Sequence, residues 1–360
     1  MQPKETVLVG MSGGVDSAAT ALLLQQAGYQ VIGVTMKIWK GQAGDKAKYL
    51  KKNSCYGSEE KEDLKEAQRI CELLKIPFYV LDCTKQFEKI VLNYFKSEYL
   101  AGRTPNPCIQ CNSQIKFKAL PELALASDIH FDKFATGHYA RLVFDEKNHK
   151  YLIKTALDTK KDQTYFLYRL TQSQLAKILF PLGNLLKTDI KKIAVQNKIH
   201  EIDKEESQDF YSGDYNDLLN IPPQTGNIID TEGNILGKHQ GFWNYTIGQR
   251  KGLKIANVQP LYVISLNQEK NEVVVGYENE TYSQSLTASE LNWLIEPPKN
   301  NQKIYFKIRS SQTLQEGILK ICSEKKVMVE FKEPQKAVTP GQSIAIYQND
   351  ILLGGGIINL

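Results

Sequence analysis

Short apolar runs at Thr6–Gly10, Gln30–Met36, Phe78–Asp82 and Lys133–Thr136 punctuate the first third of the chain, and each reads as a buried strand. Helical patterns lie between them. Ala18–Gln26 is compatible with a helix, and Leu64, Ala67, Cys71 and Leu74 share one helical face with Glu, Lys and Arg opposite. Phe87–Leu100 repeats the pattern until Gly102 and Pro105 end it. This alternation predicts the α/β class, a doubly wound parallel sheet with ligands at the carboxyl ends of its strands. Lys40 to Glu62 breaks the rhythm. It is polar, Lys-rich and longer than a routine connection, and it carries Cys55-Tyr56-Gly57.

Past Ile202 the texture changes. Turn signals at Pro222-Pro223, Thr225-Gly226, Glu232-Gly233 and His239-Gln240-Gly241 divide short segments. From Ser283 onward, β-type runs recur at Ile304–Ile308, Glu316–Ile321, Val327–Phe331, Ser343–Tyr347 and Ile351–Ile358, predicting a small β-barrel. The expected divisions are residues 1–202, a small central domain at 203–278, and the barrel at 279–360. No internal repeat or low-complexity tract is visible.

A length of 360 residues fits two or three domains. No apolar run is long enough to span a membrane, and Met-Gln-Pro-Lys-Glu at the start lacks a signal-peptide core, so a soluble cytoplasmic protein is expected. In that compartment the six cysteines (Cys55, Cys71, Cys83, Cys108, Cys111, Cys322) should be thiols, metal ligands or catalysts rather than a disulfide frame. The net charge of +5 permits nucleic-acid binding without arguing for it.

The strongest chemical signal follows the first strand: Ser12-Gly13-Gly14-Val15-Asp16-Ser17, running into the helical stretch. Strand, glycine turn and helix start present backbone N–H groups to an anion, and the helix dipole adds positive potential there. Asp16 is suited to a magnesium ion. A Walker loop would need a Lys, and a dinucleotide loop Gly-x-Gly-x-x-Gly; neither is present. The six residues instead resemble the signature of the PP-loop ATP pyrophosphatases, which cut ATP between its α and β phosphates.

A second signal is Gly102-Arg103-Thr104-Pro105-Asn106-Pro107-Cys108-Ile109-Gln110-Cys111-Asn112. Two prolines pin a loop, and a Cys-x-x-Cys pair follows just before a predicted helix. That position lowers a thiol pKa, so a reactive thiolate is expected at Cys108 or Cys111. The spacing equally suits two ligands of a metal or iron–sulfur cluster. Ala135 to Arg141 forms a third element, in which Gly137 lets backbone approach a nucleotide and His138 is read as a packing residue. Lys160 to Phe166 is a fourth, whose cations, amide and aromatics suit phosphate, base-edge and stacking contacts. Tyr245–Gly252 and Lys307–Ser310 are further basic spots.

In this order, the motifs resemble the tRNA-specific 2-thiouridylase family, which replaces O2 of the wobble uridine by sulfur. The resemblance runs through Gly10–Ser17, Met36, Thr104–Lys118, Ala135–Arg141, Lys161–Tyr165, Ser207–Phe210, His239-Gln240-Gly241 and Thr246–Leu253. It implies a PP-loop domain, a central domain and a C-terminal β-barrel. By the same resemblance Gly10, Met11, Ser12, Gly13, Gly14, Val15, Asp16, Ser17, Met36 and Gly137 would line ATP, with Mg²⁺. Asn106, Pro107 and Cys108 would lie beside the target uracil, and Cys111 matches the first catalytic cysteine. Lys161, Asp162, Gln163, Arg309 and Ser310 match positions that contact tRNA.

One departure matters. Many members carry an Asp after the Asn-Pro pair, where this chain has Cys108, and a second catalytic cysteine in the central region. Here that region reads Glu206-Ser207-Gln208-Asp209-Phe210-Tyr211-Ser212-Gly213, with Tyr211 in the cysteine's place, and a phenol carries no persulfide. Two substitutes are open. Cys108 can resolve a Cys111 persulfide, or Cys55, Cys108 and Cys111 can hold a 4Fe–4S cluster with one iron open to hydrosulfide. Asp16, Cys108 and Cys111 are thus the candidate catalytic residues, and the partners implied are tRNA and a sulfur donor protein or sulfide. The rivals are another PP-loop synthetase or ligase that adenylates its substrate, and a non-catalytic RNA-binding protein.

Overall fold

The computed structural model describes residues 5–41, 54–57, 59–199, 210–211 and 214–359. The expected division after residue 202, most of the long Lys40–Glu62 stretch and the segment around Ser207 lie outside these residues. The chain forms two compact units.

The first unit, residues 1–91, 108–213 and 350–352, is built on a five-stranded parallel sheet. Its strand order is Phe78–Asp82, Gln30–Lys37, Thr6–Gly10, Lys133–Ala135, Ile178–Leu179. Four of these match the apolar runs of the sequence; the fifth, two residues long, is too short to leave a pattern. Val7, Leu8 and Val9 of the first strand have no solvent exposure, as expected for a strand covered on both faces. Strand Thr6–Gly10 has its successor Gln30–Lys37 on one side and the later strand Lys133–Ala135 on the other. The order therefore reverses beside it, and a doubly wound sheet opens its ligand crevice at that point, outside the carboxyl ends.

Helix Val15–Gln26 packs its Ala18, Ala21, Leu22 and Leu24 into the core with Ala67, Ile70, Cys71 and Leu74 of helix Glu60–Leu74. The predicted helix at Phe87–Leu100 starts at Thr84 and carries a π-helical turn over Glu88–Leu92.

The second unit contains residues 92–107, 214–349 and 353–360. Part of it is a four-stranded sheet in the order Tyr262–Asn267, Glu272–Gly276, Gly226–Ile229, Ile235–His239. The rest is a closed antiparallel barrel of six strands: Tyr282–Trp293, Lys326–Lys336, Gln315–Ser323, Gln302–Lys307, Ser343–Gln348 and Ile351–Asn359, the last pairing back with the first. Closure removes the exposed edges that so many short strands would otherwise leave.

Candidate active site

The loop after strand Thr6–Gly10 is held by its own hydroxyls. Ser17 Oγ donates to Gly14 O at 2.9 Å and accepts from Ser12 N at 3.2 Å, while Thr20 Oγ1 donates to Asp16 O at 2.8 Å. Gly13 has φ of +72°, and a Cβ there would lie 2.7 Å from Asp63 O, so only glycine fits. Gly14, the N-cap of helix Val15–Gln26, would meet only Ser12 Oγ at 3.4 Å. Backbone is thus presented on an open side, the geometry of an anion cradle.

Gly137 serves the loop itself: a Cβ would sit 2.9 Å from Asp16 and 3.0 Å from Ser17 N. Met36, half-buried, lies on the neighbouring strand paired with Leu81. The parallel sheet thus brings the residues matched to ATP, Gly10–Ser17, Met36 and Gly137, to the carboxyl ends of three adjacent strands.

Asp16 is engaged in a way the sequence does not announce. Lys187 Nζ lies 2.7 Å from both carboxylate oxygens, and Tyr139 OH donates to Oδ1 at 2.8 Å. The carboxylate remains 24% exposed at the loop mouth, a hard oxygen donor of the kind magnesium takes.

The Cys-x-x-Cys pair lies inside a helix rather than before it. Pro107–Gln110 opens the helix and Cys111–Ala119 continues it as a π-helical run. The expected low thiol pKa does not follow: burial pushes Cys111 up to about 11, against the pull of Lys116 and with a further push from Cys108. Desolvation therefore outweighs the helix dipole.

Other thiols stand close by. Cys55 is exposed over the whole residue, yet the protein around its sulfur, with Cys108 and Cys111, raises its pKa strongly, and its Sγ donates to Phe210 O at 3.6 Å. Fully buried Cys83, raised to about 12, also feels Cys111. Tyr56 N donates to Phe210 O at 3.1 Å, and the Tyr56 ring stacks on Phe87 and Phe210 with centroids 5.3 and 5.8 Å away. Tyr211 joins this aromatic group at 6.3 Å from Tyr56. The segment carrying Cys55 is thereby fastened beside Phe210 and Tyr211. Among the described residues no three His, Cys, Asp or Glu side chains are grouped as ligands of a metal ion. Cys55 is close enough to Cys108 and Cys111 for both thiols to act on it electrostatically.

The raised Cys111 pKa has a direct consequence. Iodoacetamide alkylation of Cys111, followed by mass spectrometry of its peptide, should accelerate about tenfold per pH unit from neutrality towards pH 11. A plateau already at pH 8 would contradict a protonated thiol.

His138 is a packing residue. Its Nδ1 pairs with Thr136 Oγ1 at 2.7 Å, Phe117 lies 5.5 Å from its ring, and burial holds its pKa well below the usual value. Asp162 is buried: its Oδ1 accepts from Ala156 N at 3.0 Å, and Thr164 Oγ1 donates to both oxygens. It shapes the turn. Gln163 Oε1 accepts from Tyr139 N at 2.9 Å, and Lys161 is half-buried.

In the second unit, Asn106, Arg309 and Ser310 come together around a cavity of about 520 Å³ with Thr246, Gly248, Gln249 and Gln342. Gln342 Nε2 donates to Thr104 O and Pro105 O at 3.0 and 3.2 Å, and Thr104 N donates to Pro340 O at 2.9 Å. The loop leading to Asn106 is therefore fixed by a barrel connection. Pro107 is buried next in the chain, where it starts the cysteine helix. Arg309 is exposed, with one guanidinium N–H on Ala337 O at 2.9 Å.

A Ser-Gly-Gly-Val-Asp-Ser loop at the switch point of a parallel sheet, in a chain that also folds a closed barrel, defines a PP-loop protein with an appended β-domain. Family models agree along the chain: a tRNA methyl transferase HUP domain matches residues 5–211, a tRNA methyl transferase PRC-barrel domain 219–277, and an aminomethyltransferase beta-barrel domain 283–358. A tRNA-specific 2-thiouridylase of Endomicrobium trichonymphae is 46% identical, with 99% of this chain and 100% of that protein aligned. Proteins of the same name from Acetivibrio thermocellus and Thermoanaerobacter sp. are 44% and 42% identical, each over 99% of both chains. The chain belongs to the tRNA-specific 2-thiouridylase family. Among the described residues no helix is long and apolar enough to cross a membrane.

Proposed function

We propose that this protein is a sulfurtransferase that uses ATP to replace O2 of the wobble uridine of tRNA by sulfur. What supports the reading is that one compact unit holds both the Ser12–Ser17 loop, at the sheet's switch point, and a group of thiols around the Cys108–Cys111 helix. Uracil O2 attacks the α phosphate, pyrophosphate leaves, and the adenylated oxygen can then depart as AMP. Backbone N–H groups at the start of helix Val15–Gln26 offset the charge developing on the phosphate. Asp16 and the phosphates would hold Mg²⁺, which supplies further charge neutralisation when bound. The target base must leave the anticodon stack, and Asn106 in its fixed loop is suited to pairing with a splayed base edge.

Sulfur has two routes through these residues. In one, the terminal sulfur of a Cys111 persulfide attacks C2 and expels AMP. Cys108 then attacks Cys111 Sγ, freeing the thiocarbonyl and leaving a Cys108–Cys111 disulfide for an external dithiol to reduce. In the other, Cys55, Cys108 and Cys111 would hold a 4Fe–4S cluster, which when bound supplies an open iron site for hydrosulfide. The first route takes its sulfur from a persulfide-carrying protein, which transfers the outer sulfur to Cys111, and the second takes hydrosulfide.

The test is release of AMP and pyrophosphate from ATP with tRNA, ammonia or an amino acid as acceptor, together with nucleoside analysis of the tRNA. Only tRNA should support turnover, and 2-thiouridine should appear. Turnover with ammonia or an amino acid instead would indicate a PP-loop ligase, and absence of ATP binding an RNA-binding protein. For docking, Arg309→Ala should weaken tRNA binding and lower the slope of log K against log salt by about one. An unaltered slope in filter-binding titrations would make Arg309 ordinary surface.

A further inference from the structure

Attack on the α phosphate needs positive charge beside it, and the loop Ser12–Ser17 contains no cation. Helix dipole and backbone N–H groups provide partial charges only. A full charge reaches the loop from 171 residues away in sequence: the Lys187 ammonium, 2.7 Å from both oxygens of Asp16. Only 8% of the Lys187 side chain is exposed. Its Nζ lies 5.7 Å from the centroid of the Tyr139 ring, whose hydroxyl bonds the same carboxylate. The root of the side chain is fixed too, since Lys187 N donates to Asp158 Oδ2 at 3.0 Å.

This placement is costly for a structural fastener. Lys187 is the first residue of helix Lys187–Gln196, and its partner Asp16 stands in the first turn of helix Val15–Gln26. The ammonium thus sits at the positive ends of two helices, where a cation is disfavoured. Burying an ion pair also costs desolvation that an apolar pair would not, and the two helices already pack through Ala19 and Ile190. What the arrangement achieves is a concentration of positive potential at the mouth of the loop, held by the Asp16 carboxylate. A polyphosphate is the ligand such a potential suits.

We propose that Lys187 is the catalytic cation of the adenylation step, oriented by Asp16 and directed to a non-bridging oxygen of the ATP α phosphate. The inference rests on the reading of Ser12–Ser17 as an ATP loop. In the step, uracil O2 forms the new bond to the α phosphorus, the bond from that phosphorus to the bridging oxygen breaks, and pyrophosphate leaves with the electron pair. The uracil N3 proton goes to water. Lys187 keeps its protons throughout, and nothing is oxidised.

The test uses the full-length protein, substrate tRNA, ATP and α,β-methylene-ATP. Lys187→Met should bind the analogue at least tenfold more weakly and release tRNA-dependent pyrophosphate about 10²–10³-fold more slowly in single turnovers, with tRNA affinity unchanged. Lys187→Arg should recover at least tenfold of that rate. A folded Lys187→Met protein that releases pyrophosphate within threefold of wild type would overturn the assignment. Should Lys187→Met fail to fold, the rate ratio for the two α-thio diastereomers of ATP decides. Lys187→Arg should change that ratio tenfold or more, because a different donor meets the substituted oxygen, and an unchanged ratio overturns the proposal. Wild-type protein that binds the analogue but never releases pyrophosphate with tRNA would sink the thiolation reading instead. Lys187 is then judged on analogue binding, where equal affinity of Lys187→Met and wild type overturns it.

Discussion

Cys111→Ala is expected to release pyrophosphate from ATP at close to the wild-type rate while placing no sulfur on tRNA. The separation follows from where the two chemistries are built. The phosphate cradle is closed by Ser12, Gly14 and Ser17 bonding to one another, and none of those bonds involves the cysteine helix. Sulfur delivery depends on a thiol, and Tyr211 supplies none. Cys55→Ala then divides the two sulfur routes. A cluster held by Cys55, Cys108 and Cys111 loses iron and thiolation together with any one of them. A persulfide relay confined to Cys108 and Cys111 leaves Cys55→Ala active and never requires iron. The measurement is anaerobic purification with iron and sulfide analysis, beside 2-thiouridine content of the treated tRNA. Thiolation by Cys111→Ala would eliminate both routes, and full thiolation by iron-free wild type would eliminate the cluster.

The parallel sheet was legible because strands covered on both faces are continuous apolar runs, as at Thr6–Gly10, and the loop because two glycines and two serines fall directly after one. What was not legible depends on distance or on solvent. Lys187 and Tyr139 look ordinary in sequence, and their bond to Asp16 exists only because the fold brings residues 171 and 123 positions away to one strand end. Position at a helix start argues for a low Cys111 pKa, but desolvation by the surrounding protein outweighs it and raises the value to about 11. The internal role of Asp162 was hidden for the same reason: an Asp in a Lys-rich turn looks solvated until its oxygens are found on Ala156 N and Thr164 Oγ1. By contrast, Arg309 and Ser310 stand in a basic stretch of the sequence, and they line one cavity with Asn106.

Asp16→Ala should abolish adenylation and also destabilise the unliganded protein, by about 3 kcal/mol, the low end of the cost of breaking a buried ion pair. The lower figure applies because 24% of the Asp16 side chain is exposed, while Lys187 keeps only 8%. Removing the carboxylate takes away the negative charge that Asp16 places against the ammonium at two helix starts, so the variant loop should seek an anion. Sulfate or phosphate should therefore raise the thermal midpoint of Asp16→Ala more than that of wild type at matched ionic strength, because a ligand that binds only the folded state stabilises it by mass action. Asp16→Asn retains an acceptor for Tyr139 OH but not the charge, and should fall between the two in both stability and anion response. Thermal melts in sulfate and in chloride check this ordering. Equal sulfate responses in wild type, Asp16→Asn and Asp16→Ala would show that the carboxylate does not hold a phosphate-seeking cation, and tRNA-dependent pyrophosphate release by Asp16→Ala would remove Asp16 from the adenylation site.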